Sequence, residues 1–267
     1  MKIKKYSGLF IGSLLEQLQY RMVLFITLLG NIIYLIIIYS VWKAIYSSVS
    51  DGIIKGMNFE GTMIQLVLAS SLFYCTEMYI VWGIGKDVQS GKIILDLIKP
   101  MEYLSYLFWR YSGTLVANIL ITFLPTFIVV RLVTGNTIQF NINIIYFLAS
   151  FLMGVIINYS INFITGIVCI YTNTIWGINI MKEAVVLLLS GATIPILFFP
   201  VQIQKILMFL PFPAIYSMPI KLLIDNNMLL DEIALVFGYQ FTWVIIMLVI
   251  CKIFFKISMT KIVINGG

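Results

Sequence analysis

Apolar residues along this 267-residue chain gather into runs of around twenty, separated by short polar segments. A helix of about 20 residues matches the ~30 Å hydrocarbon core of a bilayer and satisfies its own backbone hydrogen bonds where water cannot. Six runs qualify, approximately 22–42, 62–82, 106–130, 144–171, 183–199 and 233–254. The pattern predicts an all-α integral membrane protein: one transmembrane domain over 1–267 with six transmembrane helices, and no internal repeat, linker or soluble domain.

Three segments outside these runs carry patterns of their own. Ahead of the first span, Tyr6, Leu9, Phe10, Leu14 and Leu18 recur at helical spacing among Lys4, Lys5, Glu16, Gln17 and Gln19. That spacing predicts an interfacial helix on the inner leaflet. Between Gly83 and Tyr103 lies the most polar internal stretch. Within it Ile93, Ile94, Leu97 and Ile98 form a stripe, with Gly91 as a start and Pro100 as a stop, which predicts a short amphipathic helix. Between Pro195 and Asp225 the chain is apolar but punctuated by Pro195, Pro200, Pro211, Pro213 and Pro219. Proline breaks helix interiors, so two pieces near 201–210 and 214–224 are expected, each too short to cross. They would form an outward re-entrant hairpin, tolerated at that depth only when packed against protein or a water-lined cavity.

Composition points the same way. Charged residues make up 10% and apolar ones 61%, against roughly a quarter and a half in soluble domains. The polar surface is too small to coat a globule in water, so lipid is the expected solvent. The net charge of +6 sits in short clusters between apolar runs instead of along one polar face, which argues for topology and against nucleic acid. With both termini cytoplasmic, only Lys43, Lys55, Arg131, Lys205 and Lys221 of the 17 basic residues fall outside. This bias sets the orientation in a cell membrane. Trp42, Trp82, Trp109 and Trp176 fall near span ends, as amphipathic indoles do, whereas Trp243 falls mid-span. The first lysines and the patch Leu9 to Leu15 resemble a signal peptide, but Glu16 to Arg21 stand where small cleavage-site residues belong, and no cleavage is expected.

The chain has no histidine, which removes His general bases, Ser-His triads and His-ligated metals. Cys75, Cys169 and Cys251 are isolated in apolar surroundings, without metal or redox spacing. No phosphate-binding loop is present: Gly83-Ile84-Gly85-Lys86 lacks the first glycine and the Ser or Thr after lysine. No cluster of ionisable or metal-binding side chains for an enzyme is visible. Glu77 is the single carboxylate well inside a span, about six residues from its inner end, where it reads first as a helix contact and second as a proton site. Lys182-Glu183 reads as an interface pair at a span start. Asn31, Asn118, Asn158, Asn162 and Asn173 read as glue between helices.

Four motifs at their places along the chain resemble the membrane subunits of ATP-binding-cassette exporters of the ABC-2 permease type, in the small six-span branch. They are Leu18-Gln19-Tyr20-Arg21; Asp87, Gly91, Ile93, Leu97 and Pro100 in the first inner loop; Ser190-Gly191, Pro195 and Phe199-Pro200 through Leu210-Pro211-Phe212; and Asn265-Gly266-Gly267. The short outer loops set the chain apart from relatives with large external domains. The resemblance implies a non-catalytic permease with no cofactor of its own. ATP and Mg would sit on a separate ABC ATPase subunit, two copies per complex, and the path would be shared with a second permease, either a copy or a sister chain. It implies a coupling helix over 85–100, carried by Gly85, Lys86, Asp87, Ser90, Gly91, Lys92, Asp96, Leu97, Lys99 and Pro100. It implies a path lined by the second and fifth spans, hence by Phe73, Tyr74, Glu77, Met78, Leu187, Gly191 and Phe198, suited to hydrophobic or amphiphilic cargo such as a drug, antimicrobial peptide or lipid-like molecule. The competing expectation is a proton-coupled secondary transporter using Glu77.

Overall fold

The computed structural model describes residues 2–133, 141–172 and 174–261, so the Asn265-Gly266-Gly267 motif and Asn173 lie outside the described residues. Helix α1 (Lys2–Gln19) is followed, across the non-helical Tyr20, by α2 (Arg21–Ser47). The face of α1 carrying Tyr6, Leu9, Phe10 and Leu14 is partly buried, while Leu18 is exposed. The neighbour is α6 (Tyr103–Asn118), which the helix meets at Gly113. A Cβ there would lie 2.2 Å from Ser13 Oγ and 2.3 Å from the Leu14 nitrogen. The expected interfacial stripe therefore packs largely on protein.

After α2 comes a hairpin that the hydrophobic pattern does not predict. Strands β1 (Ile53–Ile54) and β2 (Met57–Asn58) pair antiparallel around Lys55 and Gly56, both at positive φ, the geometry whose twist suits a two-residue hairpin. The Tyr46 hydroxyl fastens it to α2 by donating to the Met57 carbonyl at 3.0 Å, and Asn58 caps α3 (Phe59–Thr76) by accepting from the Gly61 amide at 2.8 Å.

The second span, expected to be continuous, is broken. Helix α3 ends at Thr76, Glu77 is extended, Tyr79 is left-handed at φ 54°, and α4 (Ile80–Gln89) starts anew. Such a break leaves backbone groups to be satisfied by neighbours. From α8 (Asn143–Thr172), Asn158 Nδ2 donates to the Thr76 carbonyl at 3.2 Å, and the Thr76 hydroxyl lies 2.6 Å from that of Tyr216. The third span is α6, a π-turn at Ile119–Phe123, and α7 (Leu124–Val133). Pro125 has no N–H to donate back into the preceding turn, and the π-turn absorbs the defect.

The fifth predicted span needs correction. Instead of 183–199, helix α9 runs Trp176–Leu189, because Gly191 takes φ +82° just past its end and Pro195 prevents resumption. Its start lies earlier, at Trp176, and Lys182, expected at the interface, is buried within it. A 3-10 turn at Ile196–Phe198 leads to α10 (Val201–Leu207), and a second at Phe212–Ala214 leads to α11 (Ser217–Ile224). Between α10 and α11 the backbone at Ala214 and Ile215 is buried. It approaches α8 at Gly154, where a Cβ would lie 2.7 Å from the Ile215 carbonyl oxygen. Gln240 on α12 (Leu230–Met259) donates to the Ala214 carbonyl at 2.8 Å and the Ser150 carbonyl at 3.2 Å. At Thr76 and Ala214 the carbonyls of non-helical or helix-end backbone are thus satisfied by protein side chains.

Among the described residues, five helical segments are long and apolar enough to cross a membrane: Phe25–Ser47, Phe59–Gln89, Tyr103–Val133, Asn143–Thr172 and Leu230–Met259. With 14 residues, α9 extends about 21 Å at helical rise. The main core gathers around α8, with Phe163 and Ile167 fully buried, whereas α2 and α12 present long rows of exposed Ile, Leu and Val.

Candidate functional site

Two polar constellations stand out from the apolar framework. The first lies at the turn between α4 and α5 (Ile93–Leu97). The expected single helix over 85–100 is two pieces: Gly85 to Gln89 finish α4, and Gly91, at φ +71°, turns the chain into α5. Asp87 and Asp96, both expected to face a partner, are buried and point back at α6. Arg110 Nη1 lies 3.4 Å from Asp87 Oδ2 and 3.1 Å from Asp96 Oδ2. Lys99 Nζ donates to Asp96 Oδ1 at 2.6 Å and to the Tyr106 hydroxyl at 2.8 Å, and that hydroxyl donates to Asp96 at 3.3 Å. Partial burial lowers the affinity of Lys99 for its proton, but the hydrogen bonds to Asp96 and Tyr106 outweigh this and hold it above its ordinary 10.5.

The outward side of the same turn carries Lys86, Ser90, Gly91, Lys92 and Pro100, all exposed, together with Leu95 at 59% and Ile98 at 73% exposure. Leu97 is partly buried against the core. The expected coupling residues therefore divide into an inner set that anchors and an outer set that is free to meet another surface. Leu95 and Ile98 join the outer set.

The second constellation sits where α3 breaks. Glu77 Oε2 is 3.4 Å from Lys182 Nζ, which also donates to Asn162 Oδ1 at 2.8 Å and lies 3.9 Å from Glu183 Oε1. Asn179 donates from its amide to Glu183 Oε1. Three helical elements meet here: the α3–α4 break supplies Glu77, α8 supplies Asn162, and α9 supplies Asn179, Lys182 and Glu183. The sequence showed no ionisable cluster, and the tertiary fold makes one. Its faint signal was the i, i+4 spacing of Asn158 with Asn162 and of Asn179 with Glu183, each placing polar groups on one face of an apolar helix.

Of the residues expected to line a path, Phe73, Met78 and Leu187 belong to or pack on the main core and Phe198 lies apart from it. Phe73 meets Tyr74 and Tyr216 edge-on with ring centres 5.7 and 6.0 Å apart. Phe198 instead packs on Trp42 at 5.3 Å, in a separate apolar cluster. Met78 is buried and Leu187 partly so, while Gly191 is buried with Ser217 Cβ 3.2 Å from where its own Cβ would stand. An apolar groove of about 460 Å³ opens between α2, α3 and α7, lined by Ile36, Tyr39, Met63, Val67 and Val129, with Glu60 among its walls.

Among known proteins, the model of the family described as ABC-2 family transporter protein matches residues 13–266. No curated protein and no solved structure matches the chain.

Proposed function

The chain belongs to the ABC-2 family of transporter proteins, and from that premise we propose that it is the permease subunit of an exporter for hydrophobic or amphiphilic cargo. A membrane permease of an ABC transporter works with an ABC ATPase subunit. In our reading two such subunits, carrying ATP and Mg, seat on the turn between α4 and α5 of this chain and of a second permease, a copy or a sister. The cargo path runs between the two permeases. The polypeptide crosses the cell membrane six times with both termini cytoplasmic, α9 and the segment to Phe199 making the fifth crossing. The lysine and arginine distribution supports this orientation.

The observation that carries the reading is the two-sided turn. Leu95 and Ile98 stand exposed beside Lys86 and Lys92, while Asp87, Asp96, Lys99 and Arg110 brace the turn against α6 from behind. An exposed apolar patch with a basic rim fits a protein contact, and a braced one transmits a push. ATP-driven closure of the paired ATPase subunits would then move α4 and α6 together and shift which side of the membrane the path opens to. The groove between α2, α3 and α7 suits an apolar cargo or its lipid solvent.

The test is copurification from cells expressing the chain together with a candidate ABC ATPase subunit from the same cells. A stable complex, lost in Leu95→Asp/Ile98→Asp while the permease still inserts, is expected. If the ATPase stays bound to the double variant, or never binds, the assignment of this turn fails. Under the competing scheme, the isolated chain would take up solute with a proton gradient and Glu77→Gln would abolish it. The family match over residues 13–266 favours the exporter.

A further inference from the structure

Two carboxylates share one ammonium in the network at the α3–α4 break. Glu77 and Glu183 both reach Lys182, at 3.4 and 3.9 Å, and the remaining groups, Asn162 and Asn179, are neutral. The nearby phenols of Tyr74 and Tyr79 carry no cation either. With all three ionised, the cluster is one positive charge short, in surroundings where an uncompensated charge is costly. The hydrogen bonding agrees with this: Glu77 Oε1 and Asn179 Oδ1 are buried and accept from no side chain among the described residues. Asn179 is only 2% exposed, so bulk water does not serve it. The site is nonetheless reachable, because the side chains of Glu77 and Glu183 retain 18% and 34% exposure. On the same helix Met181 and Val185 present apolar surface.

We propose that this network binds a protonated primary amine carried on an apolar body, the amine being the recognised feature of a cationic amphiphilic cargo. This rests on the permease reading and adds the charge of the cargo to it. An ammonium group has three N–H donors and no acceptor. Those donors suit Glu77 Oε1, Asn179 Oδ1 and the Glu183 carboxylate, while the added charge brings the cluster to neutrality. The apolar body lies along Met181 and Val185 on the open flank of α9. Lys182 has a positioning role: it holds Glu77 and Asn162 in place without contributing a second free cation.

The test uses the full chain with its ATPase in phosphatidylcholine nanodiscs, which carry no net lipid charge, and three probes of equal chain length: dodecylammonium, dodecyltrimethylammonium and dodecanol. Loss of charge-assisted hydrogen bonds sets the scale, so dodecylammonium is expected to bind about tenfold tighter than dodecanol. The trimethyl probe, which has no N–H donors, falls between them. In Glu183→Gln the advantage of the amine shrinks to within about threefold while dodecanol affinity is unchanged. Equal binding of amine and alcohol by the wild-type protein, as when a bound proton already supplies the missing charge, overturns the proposal without any variant having to fold. A full amine advantage in Glu183→Gln overturns it too. ATPase copurification is scored separately. If the partner stays bound and amine preference is absent, only this inference fails; if amine preference is present and the partner absent, the permease reading fails.

Discussion

Replacing Asp96 with alanine removes the group on which Lys99, Tyr106 and Arg110 converge. Arg110 would keep the longer contacts to Asp87 Oδ2 and the Tyr106 hydroxyl, both at 3.4 Å, and Lys99 would keep the Tyr106 hydroxyl. Breaking a buried ion pair costs about 3–5 kcal/mol. Arg110 is partly solvated, so about 2–3 kcal/mol for undocking α5 from α6 is the reasoned figure, which raises the undocked population roughly 30- to 150-fold. Ile93 reports this directly, because it is 2% exposed when α5 is docked. In an Ile93→Cys background, maleimide labelling follows the population of the open form. The native Cys75, Cys169 and Cys251 are free but buried, so they give a low background. Labelling in inverted membrane vesicles should accelerate by more than tenfold in Asp96→Ala, and ATP-driven transport should fall while the ATPase remains associated. A rate within about threefold of the parent would refute the bracing role, since losing a single typical hydrogen bond, about 1 kcal/mol, already gives about fivefold.

Lys182→Met leaves the partly buried Glu77 without its cation and should lower the stability of the folded permease in denaturant titration by about 2 kcal/mol, with Glu77→Gln in the same chain restoring about 1 kcal/mol. Additive effects of the two substitutions would show that the pair is not coupled. Gly113→Leu drives a side chain into Ser13 and the α1 backbone; it should cost about 1–3 kcal/mol and, by loosening α1, speed tryptic cleavage at the already exposed Lys5, whereas an unchanged rate would place α1 elsewhere. The raised value of Lys99 fixes a pH window: its ion pair is fully formed below 10.5 and is lost as pH climbs through the higher folded value. Ile93→Cys labelling, normalised to unfolded protein at each pH, should therefore stay flat from about pH 6 to 10 and rise only beyond. Gly91→Val, at a positive φ, should weaken the α4–α5 turn by about 1 kcal/mol or more, with Gly91→Asn milder.

The charge pattern of the inner loop illustrates how far sequence carries. Asp87 and Lys92 look like one exposed set in the linear chain. In the fold Asp87 is buried on Arg110 while Lys92 is exposed, so Lys92→Glu probes a partner and Asp87→Lys dismantles the turn. Nothing local distinguishes them, because the helical phase of α4 and α5 resets at Gly91. Lys182 and Glu183 mislead in a similar way: an adjacent opposite-charge pair suits a membrane interface, yet Lys182 is turned inward onto Glu77, which is more than a hundred residues away in sequence.

What the sequence determined by itself is the solvent and the element type. Long apolar runs with few charges make membrane-spanning helices, and the prolines between 195 and 219 keep that apolar stretch from forming one continuous helix. Those conclusions depend only on local composition and backbone hydrogen bonding. Tertiary structure alone decided where α3 breaks, how far α9 extends, and which polar groups meet. A left-handed Tyr79, or a lysine buried among α3, α8 and α9, is stable only when Asn158, Asn162 and Glu77 arrive from distant helices to satisfy it.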